Sequence, residues 1–182
     1  MSFRQGYYTI ITKVEGSECQ VSRATSEDLN LDPKYIWALK PGVSELRPWL
    51  IKKTDGYIDL EVLGTHTGVT KGISERKPFA FIDDRPSEVG AIGWILEPTG
   101  DPDTYRIKTK DGRLYWQFGD RELSQGRIIE LAEKSGDPRQ EFKFYLHREV
   151  NFRQRLDPEW ERKYGRVPEI PLTDRKQRRF RA

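Results

Sequence analysis

The chain has 182 residues, of which 35% are apolar and 34% charged, with a formal net charge of +3 and a mean hydropathy of −0.80. That length suits one domain of ordinary size with room for an appendage, and 21 aromatic residues argue against general disorder. The opening MSFRQGYYTI lacks the apolar run of a signal peptide, and no stretch approaches the roughly 18 apolar residues of a membrane span, so the expectation is a cytoplasmic protein without a membrane partner. Cys19 is the single cysteine, which excludes an internal disulfide, and with only His66 and His147 beside it a zinc site of cysteines and histidines is excluded as well. Cys19 reads as a small packing residue rather than a nucleophile. The charge is uneven: from His147 to Ala182 eleven Lys and Arg face six Asp and Glu, a balance of +5, whereas the preceding residues carry −2. A mildly acidic body bears a basic tail.

Along the body, short strand-like runs alternate with turn residues, and no stretch holds a helical period. YYTII, PWLIKK, GYIDLEVL, FAFI, GWILE, TYRIKT, RLYWQF, RIIEL and EFKFYL fit strands, with TDG, TGDPD, KDG and SGDP between them. The class is all-β. A long repeat is visible within it. GYYTI (6–10), GYIDL (56–60) and DTYRI (103–107) align, placing Tyr8, Ile58 and Tyr105 in one column. The closing runs PWLI (48–51), GWIL (93–96) and EFKF (141–144) place Trp49, Trp94 and Phe142 in a second. A further apolar strand lies between them in each unit, at 35–39, 79–82 and 127–131. Three four-stranded units, each with one apolar face that cannot be buried alone, predict a β-trefoil over 1–147, a six-stranded barrel capped by three hairpins with the aromatic columns as its core.

With these motifs in order, LDPKYIWALKPG (31–42), PWLI followed by DGY, KPFAFI, and DTYRI with a closing QEFKF, the chain resembles the cospin-like fungal β-trefoil serine protease inhibitors, relatives of the mycocypins. The resemblance spans about 4–147. It implies a protease as partner, no cofactor, no disulfide, and a reactive segment between the second and third strands of the first unit. Here that segment is ATSEDLNLDPK (24–34), with Glu27, Asp28, Leu29, Asn30 and Leu31 as the inhibitory loop and Asn30 near the residue preceding the scissile bond. Such inhibition requires an extended, rigid segment, and Pro33 stiffens its exit by biasing Asp32 away from helical geometry. Glu27, Asp28 and Asp32 crowd acid around the contact residue, which ill suits trypsin; the bland alternative is a solvated loop whose acids cap a helical turn.

Two other classes stay open on the residues. Ricin-type lectins usually end each repeat in Q-x-W; the triplets here are RPW (47–49), IGW (92–94) and QEF (140–142), none intact, and Trp37 or Trp116 are the candidate sugar platforms for a glycan partner. An enzyme acting on a prenyl diphosphate would hold Mg²⁺ through paired acids, and Asp83, Asp84 and Glu88 in DDRPSE fit that spacing loosely. Pro86 and the preceding strand oppose the continuous helix such a motif needs, and the aligned units make DDRPSE a connection between strands, so a turn is the better reading. His66 in GTHTGVTKG (64–72) is a candidate acid or base, set against the reading as a turn residue in a glycine-rich hairpin.

The basic extension, 148–182, departs from the resemblance. DPEWERKYG (157–165) predicts a short helix with Asp157 as N-cap, Pro158 in the first turn and Gly165 at the C-cap; Trp160 and Tyr164 share one face, suited to packing on the body or on another protomer in a homo-oligomer. The terminal RKQRRFR (175–181) is a basic run, for which docking on the chain's own acidic surface is a more economical reading than nucleic acid.

Overall fold

The computed structural model describes residues 3–24, 27, 30–42, 47–71, 76–82 and 89–149. The chain divides into two units, Met1–Asn151 and Phe152–Ala182, and the second lies outside the described residues, as does the helix expected at 157–165. Among the described residues of the first unit there are thirteen strands: β1 (Gly6–Val14), β2 (Ser17–Arg23), β3 (Lys34–Leu39), β4 (Trp49–Thr54), β5 (Tyr57–Val62), β6 (Thr65–Thr70), β7 (Phe79–Ala80), β8 (Val89–Ile92), β9 (Trp94–Pro98), β10 (Thr104–Thr109), β11 (Tyr115–Glu122), β12 (Gly126–Ala132) and β13 (Phe142–Glu149). One 3₁₀ turn, Pro138–Gln140, is capped by Asp137, whose carboxylate accepts from the Arg139 amide at 2.8 Å. Among the described residues the architecture is all-β, with no α-helix.

Six strands pair antiparallel in a closed ring, in the order β1, β4, β5, β9, β10, β13 and back to β1. Closure leaves none of them with an open edge. The two aromatic columns of the sequence meet across this ring in matched pairs: Tyr8 lies opposite Trp49, Ile58 opposite Trp94, and Tyr105 opposite Phe142. Outside the ring β2 pairs with β3, β6 with β7 and β8, and β11 with β12, while β3 also pairs with β12 and with β7.

The ring is filled by large rings of another kind. Trp49, Trp94, Trp116 and Phe142 are all fully buried, and Trp116 is the hub, with centroids 6.0 Å from Trp49, 5.0 Å from Trp94 and 6.0 Å from Phe142. The last two contacts are edge-to-face, the arrangement the ring quadrupole favours. Trp49 Nε1 donates to the Val21 carbonyl at 2.7 Å and Trp94 Nε1 to Thr67 Oγ1 at 2.8 Å, so these indoles bury area with their donors satisfied. A second cluster gathers Phe3, Tyr8, Tyr105 and Phe144, with Phe3 4.9 Å from Tyr8 and Tyr105 5.4 Å from Phe144.

Two sequence readings are corrected here. Trp116, considered as a sugar platform, is enclosed in the core and presents no face to a ligand, because its strand is covered on both sides: its neighbour Tyr115 is buried too. His66, read as a turn residue, lies within strand β6. The turn falls earlier, at Leu63 and Gly64, which take left-handed φ values of 53° and 74°. A two-residue hairpin turn of this hand matches the twist of its strands. It sets Val62 opposite Thr65 and Glu61 opposite His66. The Thr and Val that follow have the β-branching a pleated strand accommodates.

Candidate functional site

The connection from β2 to β3 is held at both ends by buried cations. At its start Arg23, 8% exposed, donates from Nε to Glu27 Oε1 at 3.2 Å, pairs through Nη2 with Glu27 Oε2, and reaches Thr65 Oγ1 from Nη1 at 3.4 Å. A two-pronged guanidinium–carboxylate contact fixes direction as well as charge. Arg47 Nη1 adds a 3.5 Å contact to the Ala24 carbonyl. At its end Asn30 Oδ1 accepts from the Asp32 amide at 3.2 Å and from the ammonium of the buried Lys34. An Asn side chain bonded to the backbone two residues on makes a local turn without regular structure. Beneath, Tyr35 on β3 lies 5.3 Å from Phe79 on β7, with the Lys77 ammonium 4.8 Å from the Tyr35 ring.

Between these anchors Leu31 is 55% exposed, and Asp32 is exposed beside it. An apolar side chain is thus displayed by a segment whose base is ordered by charge-assisted bonds. Of the residues expected in the loop, Glu27, Asn30 and Leu31 are found here, and Asp28 and Leu29 lie outside the described residues. The sequence reading missed Arg23. It left Glu27 as one of several repelling acids, whereas the guanidinium pairs it. Nothing in the sequence alone shows that Arg23 is buried while bridging Glu27 and Thr65, which lies across the fold.

The remaining candidates fall elsewhere. His66 Nδ1 stands 2.8 Å from Asp59 Oδ2 and 3.3 Å from Glu61 Oε1, and the Lys52 ammonium also pairs with Glu61. The hydrogen bond to Asp59 raises the His66 pKa above its ordinary value; burial opposes this, the charges of Asp59 and Glu61 add to it, and Lys52 works against it. Asp59 and Glu61 went unnoticed in the sequence, although the signal is present: D-x-E, a turn containing glycine, then His places all three on one face of a hairpin. Trp37 on β3 is half-buried. Asp83, Asp84 and Glu88 lie outside the described residues. Cys19 is buried, and burial pushes its thiol pKa up, which makes it a poor nucleophile. A shallow cleft of about 370 Å³ lies beside β1 and β13, where Lys13, Glu18, Asp101 and Lys143 join Glu141, whose carboxylate is held by Arg106 Nη2 at 2.6 Å.

The class these features define is an all-β protein carrying a loop pinned at its base, with one apolar side chain, Leu31, exposed among polar neighbours. Residues 1–149 match the family described as peptidase inhibitor I66, and the chain belongs to that family. Protease inhibition is the function that membership carries, with a protease as the partner, in keeping with the resemblance expected from the sequence. Among solved structures, a proteinase inhibitor from Coprinopsis cinerea is similar with a TM-score of 0.64 and 23% identity, over 80% of this chain and 99% of that one. A ricin B-like lectin from Macrolepiota procera, solved with lactose, is similar at 0.58 and 11% identity over 79% and 97%. The designed threefold-symmetric protein ThreeFoil follows at 0.56 and 15% over 76% and 97%. At these identities the structural likeness concerns the fold. No curated protein matches the chain.

Proposed function

We propose that the protein is a β-trefoil inhibitor of serine proteases that engages its target through residues 24–34, with Leu31 as the projecting side chain and Asn30 as the internal brace of the loop. The three-unit reading is supported by the matched pairs Tyr8 with Trp49, Ile58 with Trp94 and Tyr105 with Phe142, and by likeness to a designed threefold-symmetric protein. The observation that carries the loop is Leu31, 55% exposed between anchors made by Arg23 at one end and Asn30 with Lys34 at the other.

The geometry suits inhibition for a thermodynamic reason. A flexible peptide loses conformational entropy on entering a protease cleft, whereas a segment already ordered by its own contacts loses less and binds tighter for the same contacts. Were the peptide bond following Leu31 cut, the contact of Asn30 with Lys34 would span the break and, with the anchor at Arg23, keep both new ends near the enzyme, so that rejoining competes with release. Pairing Glu27 with Arg23 removes one acid from the contact zone. Leu31 then directs the loop toward enzymes with an apolar specificity pocket.

The test is a panel of trypsin-, chymotrypsin-, elastase- and subtilisin-type proteases assayed against the wild type and the doubly substituted Asn30→Ala, Leu31→Ala protein. The expected result is inhibition of at least one apolar-pocket enzyme, weakened by about thirtyfold or more in the variant. Full inhibition by the variant across the panel would remove the loop assignment.

A further inference from the structure

The hairpin of β5 and β6 brings together a group of side chains that plays no part in the loop. Asp59, Glu61 and His66 each offer a ligating atom, and these atoms all lie within 4.8 Å of one another. Glu61 faces His66 directly across the hairpin, and Asp59 is two residues back on the same face of β5. The turn at Leu63 and Gly64 fixes that register, so the three donors are ordered before anything binds. A donor set built on paired strands holds its geometry better than one carried on a loop.

Their surroundings are unusual for a surface ion pair. Asp59 is 9% exposed and Glu61 5% exposed, and Asp59 Oδ1 is buried without a hydrogen-bond partner while Oδ2 meets His66. A buried carboxylate oxygen left without a donor is costly, which points to a ligand that fills it. Charge agrees. Two carboxylates here face two groups able to carry a positive charge, the His66 ring and Lys52, whose side chain is 31% exposed and long enough to turn into solvent. A dication would replace one proton and one ammonium without changing the local sum. Spacing is near what a shared ion needs: ligands bonded at about 2.0–2.2 Å to one tetrahedral ion stand about 3.3–3.6 Å apart, which His66 Nδ1 and Glu61 Oε1 meet at 3.3 Å, while the 2.8 Å hydrogen bond to Asp59 Oδ2 would open by about half an ångström as the ion replaces its proton.

We propose that Asp59, Glu61 and His66 form a site for a divalent transition metal of the zinc type, with three protein ligands and a fourth position left to water. One imidazole nitrogen with two carboxylates favours Zn²⁺ or Co²⁺ over Mg²⁺, which retains several waters and demands an octahedron of oxygens. Thr65, which receives the Arg23 guanidinium at the loop base, is the residue before His66, so the site sits one position from a loop anchor. The site does not depend on the loop being the inhibitory element.

The experiment is isothermal titration of the purified full chain with Zn²⁺, repeated with Mg²⁺, together with the visible spectrum on adding Co²⁺. Saturable binding of one Zn²⁺ per chain is expected, with the intense absorption of four-coordinate Co²⁺ and no response to Mg²⁺. His66→Ala and Asp59→Asn should each weaken Zn²⁺ binding by more than the roughly 100-fold at the upper end of what outer-shell changes cost at metal sites, with an unchanged circular dichroism spectrum. Lys52→Met should tighten binding, because the ammonium that competes for Glu61 is gone; this variant keeps the test decisive if His66→Ala fails to fold. Absence of saturable Zn²⁺ binding, undiminished affinity in a folded His66→Ala protein, or weaker binding in Lys52→Met would each overturn the site.

Discussion

Strands β3 and β12 lie side by side, yet each is reached by a different kind of connection. From β11 the chain enters β12 through residues 123–125 alone, closed by backbone: the Leu123 amide donates to the Gly126 carbonyl at 2.8 Å and the Gly126 amide to the Leu123 carbonyl at 3.3 Å. From β2 it enters β3 through residues 24–33, and the contacts fixing that path come from the side chains of Arg23, Glu27, Asn30, Lys34 and Arg47. The short turn exposes only Ser124 fully. The long one displays Leu31, and its order rests on groups that leave the strand pairing untouched. If the long connection is the inhibitory element, recognition and stability fall to separate sets of residues.

Substitutions in the two regions should therefore separate cleanly. The largest effect is expected for Trp116→Ala in β11, which empties the hub of the core and should cost about 3–5 kcal/mol in chemical denaturation. Inhibition by the folded fraction should be unaltered. Leu31→Ala should do the converse, weakening inhibition by about 2 kcal/mol in binding while the denaturation midpoint moves little. Gly126→Ala probes the short turn. Its φ is +145°, and an added Cβ would come 2.1 Å from the Ala38 carbonyl oxygen, so a loss of about 2 kcal/mol in stability is expected.

Arg23→Ala removes the brace of the long connection and leaves Glu27 unpaired; an inhibition constant weaker by about tenfold, with faster cleavage between residues 24 and 34 on limited proteolysis, is expected. The smallest effect concerns another gathered carboxylate, Glu97 on β9. Its pKa is held down to about 2, first by the Lys134 ammonium and then by Lys108 and the Tyr115 hydroxyl, with burial opposing. A folded-state value below the ordinary 4.5 means stabilisation that is fully present above that pH and fades as pH falls toward about 2. Denaturation of Glu97→Gln and wild type should differ by no more than about 1 kcal/mol at neutral pH, given solvent screening, and converge in acid.

Much of this organisation is legible in the sequence, because a strand that contributes to a closed core must repeat its large apolar residue wherever the ring repeats. Tyr8, Ile58, Tyr105 and their partners Trp49, Trp94 and Phe142 align on that ground, and they meet in the ring. Trp116 was misread because period-two alternation assigns a face only where one face is wet; in YWQF the adjacent Tyr115 and Trp116 are both buried, and the pattern is silent. His66 was misread because a threonine- and glycine-rich run looks like a turn. Gly68 is small for a packing reason: a Cβ there would come 2.2 Å from the Ala91 carbonyl oxygen. In the loop, the resemblance pointed to Glu27, Asn30 and Leu31, but the pairing of Glu27 with Arg23 and of Asn30 with Lys34 depends on distances that only folding sets.

The ring also has a consequence in time. Its final seam joins Gly6 through Ile11 on β1 to Lys143 through Glu149 on β13, so the first ring strand to leave the ribosome waits for the last. Until then β1 and β10 each lack a neighbour, and partial chains expose strand edges open to non-native pairing. Pairings this distant along the chain are slow to form. The protein should consequently gain its resistance to proteolysis late and in one step, when the two ends of the body meet.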